Sequence, residues 1–93
     1  MRVTKWQRGL LKTIKQADDG CGFLSRTWVQ VNYNKSTGEV WGDWMTGYER
    51  KVYDDPNIVS VCKFYGKWTR AEIAQAIEDQ IADDAYFSAT YGI

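Results

Sequence analysis

The chain has 93 residues, a length that predicts one domain over residues 1–93. Hydrophobic residues make up 44% of it and charged residues 26%, a composition typical of folded domains and too apolar for a wholly disordered chain. Its twelve basic and twelve acidic side chains cancel at pH 7, which argues against a nucleic-acid mimic that attracts its target by net negative charge. No run approaches the roughly 18 apolar residues of a membrane span, and no apolar segment follows the first bases, so neither a membrane helix nor a signal peptide is expected.

The N-terminal segment has the pattern of an amphipathic helix over residues 3–17. Its apolar residues recur at helical spacing and fall in one stripe, formed by Val3, Trp6, Leu10, Ile14 and Ala17. Thr4 and Gln7 have the spacing of a capping box at the start of this helix. Gly20 suits the left-handed residue that ends it.

The middle of the chain is rich in aromatic and β-branched residues that alternate with polar ones, which predicts antiparallel strands. Residues 23–33 form the first strand, a hairpin loop covers 34–38, and 39–44 form the second strand. Residues 48–53 are either a third strand or an extension of the second. The last strand, 58–65, is apolar on both faces, which favours a central or well-covered position.

The C-terminal helix has the clearest signals in the chain. Thr69 with Glu72 forms a capping box, and Trp68 with Ile73 forms a hydrophobic staple. Residues 86–93 form an aromatic tail, for which docking on the domain, fraying and binding a partner are all open.

The order of these elements, α-β-β-β(-β)-α, predicts an α+β domain of two layers, with both helices on one face of an antiparallel sheet. The other face would then carry aromatic side chains, drawn from Trp28, Trp41, Trp44, Tyr48 and Tyr53. The same order resembles the topology of double-stranded RNA-binding domains. The loop at 34–38 lacks their histidine, however, and the second helix opens with only Lys67 and Arg70 in place of their lysine cluster.

Basic residues are concentrated near the N-terminal end of the chain and acidic residues near its C-terminal end. The first sixteen residues contain five bases and no acid: Arg2, Lys5, Arg8, Lys12 and Lys15. The last twenty-two residues contain five acids and no base: Glu72, Glu78, Asp79, Asp83 and Asp84. A field with two poles steers the choice of partner even at zero net charge, which indicates an interaction protein.

Catalytic chemistry finds little support in the residue types. The chain has no histidine, which excludes catalytic triads, imidazole general bases and the commonest zinc ligand. Cys21 and Cys62 stand far apart without an activating partner, and we interpret them as reduced thiols of a cytoplasmic protein. Three Asp–Asp pairs occupy turn or helix-end positions that favour Asp for structural reasons. No metal or cofactor site is predicted.

The function predicted from these features is that of a small, non-enzymatic domain that binds another protein. Large aromatic side chains dominate binding hot spots, and the predicted anchor is Trp41, Trp44 and Tyr48. The predicted acidic rim, which would orient the partner, is Asp79, Asp83 and Asp84. Small stand-alone chains of this character are frequent among phage and mobile-element accessory proteins, including inhibitors of host defence nucleases. A nucleic-acid enzyme is therefore a candidate partner.

Three alternatives remain open at this point. Nucleic-acid binding would use the bases of the N-terminal segment to contact phosphates, namely Lys5, Arg8, Lys12 and Lys15. A metal-dependent hydrolase would use the carboxylates of Asp54 and Asp55. Self-association would bring the opposite poles of two copies together.

Overall fold

The structure, a computed structural model, describes residues 3–19, 27–47, 49–64 and 67–91. Its elements in chain order are β1 (Lys5–Trp6), α1 (Leu10–Asp19), β2 (Thr27–Asn34), β3 (Glu39–Thr46), β4 (Ile58–Phe64) and α2 (Arg70–Tyr91). The strands form one sheet in the order β1-β3-β2-β4. Strand β2 pairs antiparallel with both β3 and β4, whereas β1 pairs parallel with β3 and makes the sheet mixed. The predicted α+β class is confirmed.

Both helices pack on the same face of the sheet, as predicted. The buried cluster beneath them consists of Leu10, Ile14 and Ala17 of α1, Ile73, Ala76 and Ile77 of α2, and Val29, Val31, Tyr33, Val40 and Val61 of the strands. Successive strand residues face opposite sides, so the odd-numbered residues of β2 supply this face. Full burial of each Val, Leu or Ile side chain stabilises the fold by about 1.5–3 kcal/mol.

The first helix begins at Leu10, so the helix predicted over residues 3–17 is wrong at its start. Lys5 and Trp6 form β1 instead and lie opposite Glu39 and Val40 of β3. Gly9 has φ of +78°, a left-handed conformation that is incompatible with the interior of a right-handed α-helix. Its carbonyl accepts the first helical bond, from the N–H of Thr13 at 2.9 Å.

The predicted capping box of Thr4 and Gln7 does not form. The Thr4 hydroxyl donates to the Thr37 carbonyl at 3.2 Å, and the Gln7 Oε1 accepts the Gly42 N–H at 2.7 Å. The two side chains flank β1 and attach it to the β2–β3 loop and to β3, respectively, rather than starting a helix.

The second helix begins as predicted. The Thr69 N–H donates to the Glu72 carboxylate and the Glu72 N–H donates to the Thr69 hydroxyl, each at 3.1 Å. Trp68 packs against the core beside this cap. The helix then continues to Tyr91, through the segment for which the sequence left three outcomes open.

The predicted strand over residues 48–53 is absent from its described part, 49–53, which has no regular secondary structure. The hairpin loop forms as predicted: the Asn34 side chain accepts the N–H groups of Ser36 and Thr37, and Gly38 has φ of +77°. Residues 20–26 lie outside the described residues. The predictions for Gly20 and for the start of the first strand fall in this segment.

Candidate interaction surfaces

The connection between β3 and β4 crosses the face of the sheet opposite the helices. Because β3 and β4 flank β2, the chain must pass over β2, and its residues 49–57 are called the crossover here. The Gln30 Oε1 accepts the Lys51 N–H at 3.0 Å, and the Gln30 Nε2 donates to the Lys51 carbonyl at 2.8 Å. The Gln30 side-chain amide thus makes the two hydrogen bonds that the backbone of a paired strand would make, and it attaches the crossover to the sheet.

Asn32 extends this polar network across the sheet. Its Nδ2 donates to the Asp43 Oδ2 at 2.8 Å, and its Oδ1 accepts from the Gln30 Nε2 at 3.0 Å and the Ser60 hydroxyl at 2.7 Å. Gln30 and Asn32 are both fully buried. Buried polar groups are costly unless they are hydrogen-bonded, and among the described residues every buried side-chain N or O has a partner.

Asp43 is the centre of the outer part of the network. The Tyr53 hydroxyl donates to the Asp43 carboxylate and accepts the Trp41 Nε1–H at 3.2 Å. The Trp41 and Tyr53 rings meet edge to face, with centroids 5.7 Å apart. The Lys51 Nζ lies 3.6 Å from the Asp43 Oδ1, and this carboxylate, followed by Tyr53, raises the pKa of Lys51. The polar groups of this cluster are hydrogen-bonded or ion-paired to one another, so the cluster has a structural role.

The predicted anchor residues do not form one surface. Trp41 belongs to the polar network and is half-buried. Trp44 lies on the opposite face, because it shares the strand alternation of Val40 and Gly42 in β3, and it is 49% exposed. Tyr48 lies outside the described residues.

The predicted acidic rim is exposed and lies on one helix. Asp79, Asp83 and Asp84 all belong to α2, and two of them accept hydrogen bonds within the helix. The Gln75 Nε2 donates to Asp79 at 3.0 Å, and the Gln80 Nε2 donates to Asp84 at 2.9 Å.

The acidic rim and Trp44 lie at opposite ends of the sheet. Glu78 and Ile81 of α2 line a groove of about 560 Å³ with the β2–β3 loop, and Asp84 lines another with Ile58 and Ser60 of β4, so the acids lie towards the loop end of the sheet. Trp44 lies opposite Val29, near the other end of the same hairpin. The anchor and the rim that the sequence predicts are therefore not brought together.

The exposed C-terminal part of α2, residues 82–90, is called the α2 tip. Each of its residues is exposed, including Tyr86 at 63% and Phe87 at 52%. The two rings meet edge to face with centroids 5.8 Å apart. The sequence signal for this extension is the absence of Gly and Pro from residue 70 to residue 91.

The four bases of the nucleic-acid alternative are exposed, but they do not share one helical stripe. Lys5 lies in β1, Arg8 in the turn that follows, and only Lys12 and Lys15 lie in α1. The predicted stripe depended on a helix that begins at residue 3, and the strand β1 replaces that part of it.

No protein-family model, curated protein or solved structure matches this chain. In the part of the chain that the structure describes, no helix combines the length and the apolarity needed to span a bilayer.

The residues proposed for metal-dependent hydrolysis form a turn. The Asp55 side chain accepts the Asn57 N–H at 2.9 Å and its carbonyl accepts the Ile58 N–H at 3.1 Å, while Asp54 is exposed. Within the described ranges, no three His, Cys, Asp or Glu side chains are grouped so as to hold a metal ion.

Cys62 is an exposed free thiol. Partial burial raises its pKa, and the nearby charge of Arg50 lowers it to a smaller extent. A thiol with a raised pKa is a weaker nucleophile at neutral pH, because the thiolate is the reactive form. Cys21 lies outside the described residues.

Proposed function

We propose that this protein acts by binding another protein, without catalysis, through the α2 tip. The observation on which this rests is the pair of large aromatic side chains, Tyr86 and Phe87, exposed side by side on a helix. Such side chains dominate binding hot spots, because each buries a large apolar area at a small entropic cost. They replace the anchor that the sequence predicted.

The predicted acidic rim adjoins these rings. At about 100° per residue, Asp79, Asp83 and Tyr86 lie within a stripe about 60° wide on α2, and Phe87 lies beside it. Carboxylates next to aromatic rings favour a partner that presents an apolar pocket bordered by Lys or Arg. Enzymes that act on nucleic acids carry basic surfaces for phosphates, and we propose this class of partner.

The α2 tip is a helix before a partner binds, because the first half of α2 is fixed in the core. Ile73 and Ile77 are fully buried, and the Thr69–Glu72 capping box fixes the helix start. An isolated helix as short as the α2 tip is marginal in water. Extension from a packed helix removes this cost, so binding requires little ordering.

The experiment that tests this proposal is affinity capture from cell lysate, followed by binding measurements on the captured protein with purified variants. Replacing both rings, as Tyr86→Ala with Phe87→Ala, should weaken binding roughly 30-fold or more, the loss expected from a hot spot. The matched control is Trp44→Ala, which removes an exposed aromatic side chain at the other end of the sheet. This control should bind as the wild-type chain does.

The two variants separate this proposal from the anchor predicted from the sequence. Because the aromatic side chains in both variants are about half-exposed, the melting temperature of each variant is measured beside the binding, so that loss of folding is distinguished from loss of contact. Loss of binding in the Trp44 variant, with the Tyr86 and Phe87 variant unaffected, would contradict the role of the α2 tip.

Nucleic-acid binding predicts a different result from the same purified chain. Contacts between bases and phosphates weaken steeply as salt rises, because binding releases counterions. We expect flat titration curves with duplex and single-stranded DNA and RNA over a salt series. A steep salt dependence, abolished by Lys12→Glu with Lys15→Glu, would favour the nucleic-acid alternative.

We also propose that the protein works in the cytoplasm. The presence of two widely separated cysteines in the sequence supports this, because small domains of oxidising compartments are usually built on several disulfides. Rapid alkylation of freshly lysed cells, followed by mass spectrometry of the chain, should find Cys62 alkylated. Recovery of this residue in a mixed or intermolecular disulfide would contradict the proposed location.

A further inference from the structure

The outer edge of β4 is a second surface, which borders the α2 tip at Asp84 and does not include Tyr86 or Phe87. Strand β4 lies at the edge of the sheet and pairs with β2. The Lys35 N–H donates to the Asn57 carbonyl at 2.9 Å, which identifies these two residues as a hydrogen-bonded pair. Bonded and non-bonded pairs alternate along an antiparallel ladder. Val59 and Val61 therefore bond to β2, and the N–H and C=O of Ser60 point away from the sheet.

A groove of about 390 Å³ follows this edge. It is lined by the crossover, by β4 and by α2, through Arg50–Tyr53, Ile58, Ser60, Gln80 and Asp84. The crossover lies on one face of the sheet and α2 on the other. A groove lined by both must therefore pass around the outer edge of β4.

The backbone of this edge is available for pairing. In the described part of the chain, no donor or acceptor from outside the sheet reaches the N–H or C=O of Ser60. A register shift opposite Val29 to Val31 interrupts the strand further on, so the regular edge is short. Short edges with a bulge resist sheet-to-sheet aggregation while they still accept a single added strand.

We propose that an extended peptide segment of a partner adds to β4 as a fifth strand, with an acidic side chain opposite Ser60 and basic side chains on either side of it. A residue opposite Ser60 shares its face, where the crossover presents Arg50. The two neighbours in the peptide face α2, where Asp84 borders the groove. Backbone bonds supply the affinity in such strand addition and side chains supply the selectivity.

A second copy of this chain does not supply the charges that the groove favours. Two β4 strands paired about Ser60 would place Ser60 opposite Ser60 and leave Arg50 and Asp84 without complementary partners. A peptide with an acidic residue between two basic ones supplies both partners.

Synthetic peptides test the proposal directly. The probe is a blocked seven-residue peptide, Thr-Val-Lys-Glu-Lys-Val-Thr, titrated into the labelled protein while the backbone amide of Ser60 is followed by NMR. One control peptide has Glu-Lys-Glu at its centre, and the other has an N-methyl group on the central Glu, which removes the N–H that donates to Ser60. We expect the probe to bind roughly tenfold or more tightly than either control.

Protein variants supply the matching test from the other side. Ser60→Ala and Ser60→Pro both lose the hydroxyl that donates to Asn32, but only the second loses the outward N–H. Proline is tolerated at edge positions whose N–H faces away from the sheet, so Ser60→Ala should bind the probe and Ser60→Pro should not. Arg50→Glu with Asp84→Lys should reverse the preference between the probe and the peptide with Glu-Lys-Glu at its centre.

The outcomes separate this proposal from its competitors. Equal binding of the N-methylated peptide, an unchanged preference in the charge-reversed variant, or no binding of the probe at millimolar concentration would each overturn it. Concentration-dependent self-association that Ser60→Pro abolishes would assign the edge to a second copy instead. The variant of Tyr86 and Phe87 should bind the probe normally, so the aromatic pair of the α2 tip and the β4 edge are tested independently.

Discussion

Strand β2 contributes to two layers that are stabilised in different ways. Towards the helices it presents Val29 and Val31, which are fully buried among aliphatic side chains. Towards the crossover it presents Gln30 and Asn32, which are equally buried but lie in a hydrogen-bonded network. Aliphatic burial is non-directional and roughly proportional to area, whereas each bond of the network depends on one partner in one orientation.

This difference predicts how each layer fails. Loss of a core side chain weakens every element that packs on it, because the core is shared by both helices and three strands. Loss of a network residue releases mainly the crossover, which depends on Gln30 and Asp43 for its attachment. The helix layer should therefore unfold as one unit, and the crossover should open separately at lower cost.

The largest effect should come from the helix layer. Ile77→Ala removes a fully buried side chain from the core and should lower the free energy of unfolding by about 2–5 kcal/mol, measured by urea denaturation. The control is Val52→Ala, at a crossover side chain that is 79% exposed, with an expected change under about 0.5 kcal/mol. Similar losses in the two variants would mean that the core lies elsewhere.

Gly42 of β3 packs closely against the helix layer. A Cβ at this position would lie 2.7 Å from the Val29 Cγ1 and 2.8 Å from the Leu10 Cδ1. Gly42→Ala should therefore cost about 1–3 kcal/mol by overpacking. In a Leu10→Ala background the cost should fall by at least about 0.5 kcal/mol, since part of the clash is removed. Strict additivity in this double-mutant cycle would contradict the contact.

The network layer should respond locally. Gln30→Leu leaves the N–H and C=O of Lys51 without their partner and should cost about 1–3 kcal/mol. Hydrogen exchange of the Lys51 amide should accelerate strongly, while the Ile77 amide in α2 stays protected. Gln75→Leu is the control, because among the described residues the Gln75 side-chain amide is bonded to Asp79, which is exposed. Equal acceleration at Lys51 and Ile77 would show that the two layers open together.

A smaller effect is expected from the Tyr53 hydroxyl, which joins Trp41 to Asp43. Tyr53→Phe keeps the edge-to-face ring contact and removes the two hydrogen bonds, so the free energy of unfolding should fall by about 0.5–1.5 kcal/mol. Tyr86→Phe, at an exposed ring of the α2 tip, should change the stability negligibly. An unaltered stability of the Tyr53 variant would remove the hydroxyl from the network.

The smallest effect is expected on the alkylation rate of Cys62, in β4. Burial raises the pKa of Cys62 above its ordinary value of 9.0, so less thiolate is present at pH 8 and alkylation by iodoacetamide should be slower than in the unfolded chain. Arg50 lowers that pKa, so Arg50→Gln should slow the reaction further, and distant Lys12→Gln should not. The measurement uses a Cys21→Ser background. Faster alkylation in the Arg50 variant would contradict the position of this charge.

The parts of the fold that were predicted correctly depend on residues close together in the sequence. The capping box of Thr69 and Glu72 involves residues three apart, and its bonds form as the spacing predicts. The hairpin loop likewise depends on Asn34 and Gly38 within a few residues. The helix predicted over residues 3–9 is wrong because Lys5 and Trp6 pair with Glu39 and Val40, which are distant in the chain, and because Gly9 adopts a positive φ. The helical spacing of the apolar residues carries no signal of either.

The candidate site was predicted in part. The acidic residues Asp79 and Asp83 were placed correctly on an exposed helix face, since helical periodicity alone positions them. Trp41 and Trp44 were grouped although they are three residues apart in one strand, and strand alternation places such residues on opposite faces. No local signal indicates that Tyr53 turns back onto Trp41 and Asp43.

By itself, the sequence determined the second helix, the hairpin and the separation of charge, because these depend on neighbouring residues and on composition. Only the tertiary structure decided that residues 5–6 form a strand, that Gln30 binds the crossover and that β4 lies at an open edge. Each of these depends on a partner distant in the chain. A hydrogen bond to such a partner forms only when the whole sheet has brought the two groups together.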